Sequence, residues 1–230
     1  MSALTAVFDL DGTLVDTAAD LGNATNRTLA KLGLAPIAGG ELRTMVSYGA
    51  RAMIEAGLAK HGVAKTTAEV DDLLSGFLDD YGRNLAVESQ PFPGAIKALE
   101  RLKQSGCLLA VCTNKREQLA RKLLKELKMD GFFQAVTGRD TLPVHKPDPG
   151  HLIGTVILAD GDLGRAVMIG DSEVDIMTAS SAGIPSIGVS FGYSREPIAT
   201  FKPTVVIDHF DALDGVIANI YPPLTRKRGG

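Results

Sequence analysis

Two aspartates one residue apart, Asp9 and Asp11 in the run DLDGT, carry the most distinctive chemistry in the chain. Along an extended segment alternate side chains point the same way, so the two carboxylates stand close together on one side. Carboxylates so placed repel, and one keeps its proton unless a cation intervenes. That asymmetry suits a division of labour between a nucleophile and a proton donor. The plainer alternative is a pair of turn aspartates ahead of a helix, with Gly12 supplying the turn.

Three further segments offer matching groups. Thr113-Asn114-Lys115 places a hydroxyl at what reads as the opening of a helix, where free backbone N–H groups favour a phosphate. An ordinary N-cap also accounts for Thr113 taken alone. In His145-Lys146-Pro147-Asp148-Pro149, two prolines predict a rigid loop that is not helical at its start. A lysine held there could neutralise a phosphate or relieve crowding among carboxylates, whereas His145 has no partner and reads as a loop residue. In Gly170-Asp171-Ser172-Glu173-Val174-Asp175, the two aspartates are one helical turn apart and share a face if the helix begins there. Oxygen donors of this kind suit a hard cation such as Mg²⁺. The helix dipole alone would also favour Asp171 at that position.

Each segment follows an apolar run that reads as a strand or a strand end. The runs are AVFDL from Ala6, LLAVC from Leu108, AVMIG from Ala166 and SIGV from Ser186, with a weaker TVVI from Thr204. None alternates polar with apolar, so each is expected to be buried on both faces, as parallel strands are. Amphipathic segments lie between them. AIKALERLKQSG puts Ile96, Leu99 and Leu102 on one stripe and stops at Gly106, and REQLARKLLKELKM repeats the pattern with Leu119, Leu123, Leu124 and Leu127. Alternating strand and helix predicts a doubly wound α/β domain with a parallel sheet, whose ligands bind outside the carboxyl ends of the strands. Residues 17–87 break the rhythm. They read as helices from Ala18 toward Leu32, from Glu41, through Met53 to Leu58, and from Asp71 to Leu85. The expected organisation is therefore a core of 1–16 and 88–230 with a helical insert of 17–87 after the first strand.

The set is chemically coherent. Phosphoryl transfer needs an in-line nucleophile and charge neutralisation by a metal and a lysine. The bulk properties are those of an ordinary soluble globular protein. With 230 residues, 45% of them hydrophobic and 22% charged, the chain lies far from disorder, and a net charge of -3 leaves no footprint for nucleic acid. The basic tail Arg226, Lys227 and Arg228 reads as a solvated terminus. Cys107 and Cys112 form no disulfide framework and read as small hydrophobes. MSALTAVFDL lacks the features of a signal peptide and no apolar stretch can span a bilayer, so a cytoplasmic protein is expected.

DLDGT, the threonine of VCTNK, the lysine of HKPDP and GDSEVD resemble, in order, the four signature motifs of the haloacid dehalogenase superfamily. The resemblance covers nearly the whole chain, with the helical insert similar to the small cap of that superfamily. FDLDGTLVDT, TNK, HKPDP, GDSEVDIMTASSAG and the later FGY resemble its phosphoglycolate phosphatase group most. The resemblance implies Asp9 as nucleophile and Asp11 as general acid/base. It implies Mg²⁺ held by the Asp9 carboxylate, the Asp11 carbonyl and Asp171. Thr113 and Asn114 would receive phosphate oxygens, Lys146 would steady phosphoryl group and nucleophile, and Asp175 would act from behind them. One departure falls in the cap segment MVSYGARAMIEAGL, where Ser47-Tyr48-Gly49 stands in place of the Gly-x-Gly of the group. Arg43 and Arg51 in the insert are candidate binders of a substrate carboxylate, with ordinary exposed helical arginines as the plainer alternative. A sugar phosphomutase of the same fold and a non-enzymatic phosphate- or metal-binding module are the competing readings. The first lacks a recognisable cap lysine or histidine pairing, and the second has no use for Asp11.

Overall fold

The computed structural model describes residues 2–222, so the basic tail lies outside the described residues. Strand β1 (Thr5–Phe8) is buried along its whole length and is followed by the two-residue β2 (Val15–Asp16). Four helices come next: α1 (Ala18–Ala30), α2 (Gly39–Arg43), α3 (Gly49–Lys60) and α4 (Thr67–Arg83). The chain returns through β3 (Gln90–Pro91), which pairs antiparallel with β2 and holds both ends of the helical insert together. Buried Asp20, on α1, accepts from the backbone N–H groups of Val87, Glu88 and Ser89, which ties the outgoing segment to the returning one.

From there the order is α5 (Ala95–Gln104), β4 (Leu108–Cys112), α6 (Glu117–Glu126), β5 (Ala135–Thr137), α7 (Pro149–Leu158), β6 (Ala166–Gly170), α8 (Glu173–Ser181), β7 (Ser186–Val189), β8 (Val205–Ile207) and α9 (Leu213–Ile220). The sheet is parallel with order β5-β4-β1-β6-β7-β8. This is the doubly wound α/β architecture expected. Alternation along β1 serves both layers: Ala6 and Phe8 join the cluster that contains Leu99, Leu123 and Phe210, while Val7 packs with Leu152, Val156 and Ala179. The first cluster runs on into the insert through Leu29, Met53, Phe77 and Tyr81.

Register sets the site. Phe8 is level with Val111 on β4 and with Ile169 on β6. Asp9, Thr113 and Asp171 therefore leave the sheet within one residue of the same height.

The structure differs from the sequence reading at three points. Strand β5 is absent from the apolar runs because Ala135–Thr137 is only three residues long. Thr113-Asn114-Lys115 does not open a helix: α6 begins at Glu117 with Arg116 at its N-cap, so the three residues form a loop. The HKPDP segment is non-helical at its start, as expected, and its end leads into α7. Asp148 caps a helix that starts at Pro149, a position where the missing N–H of proline costs nothing. Helix α8 begins at Glu173 with Ser172 as N-cap, so Asp171 precedes the helix and shares no helical face with Asp175.

Candidate active site

Asp9 lies one residue beyond β1, and its backbone N–H donates to the Ile169 carbonyl at 2.9 Å, which holds it at the sheet's carboxyl rim. The turn after it is closed by Gly12 N–H donating to the Val15 carbonyl (3.0 Å). Gly12 has φ +86, and a Cβ there would meet Asp171 Oδ2 at 2.5 Å, so only glycine permits this loop to approach β6. Asp171 is held in place by Thr13 Oγ1, which donates to its Oδ1 (3.1 Å), and by the Tyr193 backbone N–H, which donates to its Oδ2 (2.8 Å).

Lys146 is 3% exposed and reaches two carboxylates at once. Its Nζ donates to Asp175 Oδ1 (2.6 Å) and lies 2.9 Å from Asp9 Oδ1. The loop that carries it is anchored on both sides. Its backbone N–H donates to buried His151 Nδ1 (3.2 Å), and its carbonyl accepts from Asn114 Nδ2 (2.9 Å). Burial and neighbouring Lys146 push the His151 imidazole down to about 4, so the ring is neutral and its Nδ1 is free to accept. Asp175 is occupied on its other oxygen as well, since Oδ2 accepts from the Ser172 backbone N–H (3.0 Å) and hydroxyl (2.6 Å) in a capping box.

Carboxylate oxygens of Asp9, Asp171 and Asp175 lie within 4.8 Å of one another, all buried. Burial raises Asp9 to about 6 against the opposing pull of Lys146, with the Asp175 charge adding to the rise. Burial, then the charges of Asp175 and Asp9, lift Asp171 well above the usual carboxylate range. Such a cluster is unfavourable without a cation, and its donors are the hard oxygens that divalent ions prefer. Asp9 Oδ1 faces the Lys146 ammonium, and both oxygens of Asp175 accept hydrogen bonds. The donor set of Asp9, Asp171 and Asp175 thus fits a hard cation, and Asp175 is the member most closely bound to the Lys146 ammonium.

Asp11 has a different partner. Lys115 Nζ lies 2.9 and 3.1 Å from its two oxygens and donates to the Tyr81 hydroxyl at 2.8 Å. The Thr17 hydroxyl donates to Asp11 Oδ1 at 2.7 Å. Burial opposes the charge on Lys115, but Asp11 and Tyr81 outweigh it and hold the ammonium above its ordinary range. The crowding expected between Asp9 and Asp11 is thus met by two separate lysines, one on each carboxylate.

A cavity of about 250 Å³ is lined by Asp9, Asp11, Thr113, Asn114, Lys146 and Asp171. All of these residues were singled out from sequence, and the fold brings them together. Thr113 Oγ1 accepts from the Lys115 backbone N–H (3.2 Å), leaving its own proton directed by no partner. His145 is exposed and also lines this cavity. A larger cavity of about 620 Å³ adjoins it at Asp11 and is bounded by the insert through Arg51, Phe77 and Tyr81, and by Lys115 and Arg139 from the strand-end loops. The two insert arginines are engaged elsewhere. Arg43 bonds both Asp16 oxygens (3.0 Å) and stacks on Tyr193, and Arg51 pairs with Asp71 and with Glu55.

Sequence reading passed over Lys115, Arg139, Tyr193 and His151 as individual residues. Lys115 and Tyr193 lay inside quoted segments, TNK and FGY, without a role. His151 gave no signal, and Arg139 follows the strand too short to notice. Tyr193 joins distant parts of the rim: its hydroxyl donates to Asp16 (2.7 Å) and accepts from the Thr17 and Ala18 N–H groups (2.7 and 3.1 Å).

Residues 6–189 match the family described as haloacid dehalogenase-like hydrolase. A phosphoglycolate phosphatase of Agrobacterium fabrum is 47% identical over 208 residues, covering 90% of this chain and 89% of its own length. That of Mesorhizobium japonicum is 46% identical over 213 residues, covering 93% and 94%. Among solved structures, one described as a predicted phosphoglycolate phosphatase from Haemophilus somnus superposes with a TM-score of 0.86 at 28% identity, covering 94% of this chain and 98% of that one.

Proposed function

The chain belongs to the haloacid dehalogenase-like hydrolases, and from that membership we propose an Mg²⁺-dependent phosphatase that hydrolyses a small phosphomonoester, 2-phosphoglycolate foremost, through an aspartyl-phosphate on Asp9. The observation that carries the reading is a buried carboxylate at the sheet rim with Lys146 2.9 Å away and Asp171 beside it.

In this mechanism an Asp9 oxygen bonds to phosphorus as the ester oxygen departs, and Asp11 delivers a proton to that leaving oxygen. Asp11 then takes a proton from the water that attacks phosphorus, which releases phosphate and restores Asp9. Thr113 and Asn114 donate to phosphoryl oxygens, and Lys146 offsets their charge while holding Asp9 in line. Asp175 acts through Lys146, whose ammonium it fixes. The Asp9 carboxylate, the Asp11 carbonyl and Asp171 would hold Mg²⁺, which would neutralise phosphoryl charge when bound. Residues 17–87 act as a cap over a core of 1–16 and 88–230, closing on a small leaving group and keeping out water and bulky phosphoproteins. We place the enzyme in the cytoplasm; among the described residues no helix is long and apolar enough to cross a membrane, and both cysteines are unpaired.

The test is phosphate release from a panel of small phosphate esters, 2-phosphoglycolate included, with Mg²⁺ and with chelator. Release only with Mg²⁺ is expected, and full activity in chelator would contradict the reading. Metal binding should also depend on pH. Without a cation Asp9 titrates near 6, so the folded chain keeps a proton there that the unfolded chain loses near its ordinary 3.8. Metal-free stability therefore declines as pH rises through that window, while the stabilisation added by Mg²⁺ grows because the ion no longer competes with a proton. Thermal midpoints at pH 5 and 7.5 should show a larger Mg²⁺-induced rise at the higher pH; an equal rise at both would count against Asp9 as a ligand.

Asp11→Asn checks the proton transfers. The variant should be slow both in forming and in clearing the phospho-enzyme, so a trapped aspartyl-phosphate should outlive that of the parent. Unchanged lifetime of that species, measured after rapid quenching, would remove Asp11 from the second step.

A further inference from the structure

We propose that Lys115 and Arg139 together form a recognition site for an anionic group on the leaving half of the substrate, so that the core's own loops select acidic leaving groups. The inference rests on the phosphatase reading above and names the substrate class of that site.

The leaving group must depart beside Asp11, which protonates it, and Asp11 is where the 620 Å³ cavity opens. Lys115 stands at that opening with its side chain only 5% exposed. Its three N–H groups face the two Asp11 oxygens and the Tyr81 hydroxyl, so a substrate acceptor reaches the ammonium by taking over from one Asp11 oxygen when that carboxyl carries the proton it delivers. In the phosphate ester of a 2-hydroxy acid, the carboxylate is attached to the carbon that bears the ester oxygen. A leaving oxygen at Asp11 therefore brings that carboxylate within reach of Lys115.

Arg139 supplies the second cation. It lines both cavities, is exposed, and makes no ion pair among the described residues. Its position is tied to that of Lys115 through the backbone, because Arg139 N–H donates to the Lys115 carbonyl at 3.0 Å. The loops after β4 and β5 are locked together at this point. A Cβ on Gly138 would lie 2.2 Å from Glu117 N, so glycine is required for the approach, and Asp140 Oδ1 accepts from that same N–H at 2.8 Å. The Thr141 hydroxyl adds a 2.6 Å bond to Glu117. Two cations are thus presented from adjacent strand ends on a braced frame, which suits planar recognition of a carboxylate by the guanidinium. The insert offers no counterpart to Arg139, since Arg43 pairs with Asp16 and Arg51 with Asp71 and Glu55.

The experiment compares 2-phosphoglycolate with 2-hydroxyethyl phosphate, a neutral ester of similar size, in Mg²⁺. Arg139→Gln and Lys115→Gln are measured beside the parent, with Arg51→Gln representing the insert. Arg139→Gln should lower kcat/KM for phosphoglycolate about tenfold or more beyond any fall for the neutral ester, mainly through KM. Inhibition by glycolate should weaken in parallel. Lys115→Gln should shift the ratio the same way, and Arg51→Gln should leave it within about twofold. Arg139 is exposed, so its variant keeps the test decisive if burial of Lys115 prevents Lys115→Gln from folding. An equal fall for both esters in Arg139→Gln would assign that residue to the phosphoryl group and overturn the proposal, as would a parent enzyme that handles both esters equally well; the phosphatase reading survives either result. A parent enzyme that releases phosphate from neither ester overturns that reading and the proposal with it.

Discussion

Asp9→Asn is expected to lower phosphate release by about a thousandfold or more while the chain stays folded, because no other carboxylate can take its place in line. Asp171 is held by Thr13 and Tyr193, and Asp175 by Lys146 and Ser172, so neither is free to attack. Stability should move the other way. Burial already disfavours the Asp9 anion, and the change removes one of three carboxylates within 4.8 Å of each other. Lys146 keeps its 2.6 Å bond to Asp175. The metal-free thermal midpoint of Asp9→Asn should therefore equal or exceed that of the parent, and the rise on adding Mg²⁺ should be lost. Steady-state turnover and a thermal melt on one preparation check both halves. Activity within tenfold of the parent in a folded variant would exclude Asp9 as nucleophile.

Lys146→Met is expected to be the most destabilising single change at the site. The ammonium is almost wholly buried and lies between Asp9 and Asp175, and removing one member of such a set strands the others. Breaking a buried ion pair in this way costs about 3–5 kcal/mol. For a chain of this size that corresponds to roughly 6–20 °C in thermal midpoint. The loss should shrink as pH falls, because protons can then neutralise the stranded carboxylates. Adding Asp175→Asn should recover part of the midpoint but none of the activity, since the neutral side chain can still accept from Ser172 while the phosphoryl group still lacks its lysine. Chemical denaturation of the two variants separates these contributions. A single variant as stable as the parent at neutral pH would mean that Lys146 carries no structural charge balance.

The chain's periodicities were enough to determine the fold class, and the motif order was enough to say which side chains gather at one rim. Four short runs of apolar residues without alternation read as strands covered on both faces, and the strand at Leu108–Cys112 and that at Ala166–Gly170 fall where the runs placed them. Parallel strands direct their carboxyl ends to one rim, so Asp9, Thr113 and Asp171 were predictable as neighbours, while Lys146 follows a strand too short to read from sequence. Helix starts were less legible. Asp171 looked like a helical residue because spacing carries no information about which residue caps; Ser172 takes that place because its hydroxyl and the Asp175 carboxylate can bond reciprocally.

What only the tertiary structure decided is which charges meet. Lys115 and Asp11 are 104 positions apart and Lys146 and Asp175 are 29 apart, so no local pattern pairs them. The same holds for the insert arginines, which sequence offered as carboxylate binders and which packing engages with Asp16, Glu55 and Asp71 instead. Arg139 was hidden because a three-residue edge strand leaves too short a run to register, and its relation to Lys115 exists only through one backbone hydrogen bond between two loops. Local chemistry is written in residue type and spacing, but the pairing of buried charges depends on distances across the sheet rim that are set once the strands are in register.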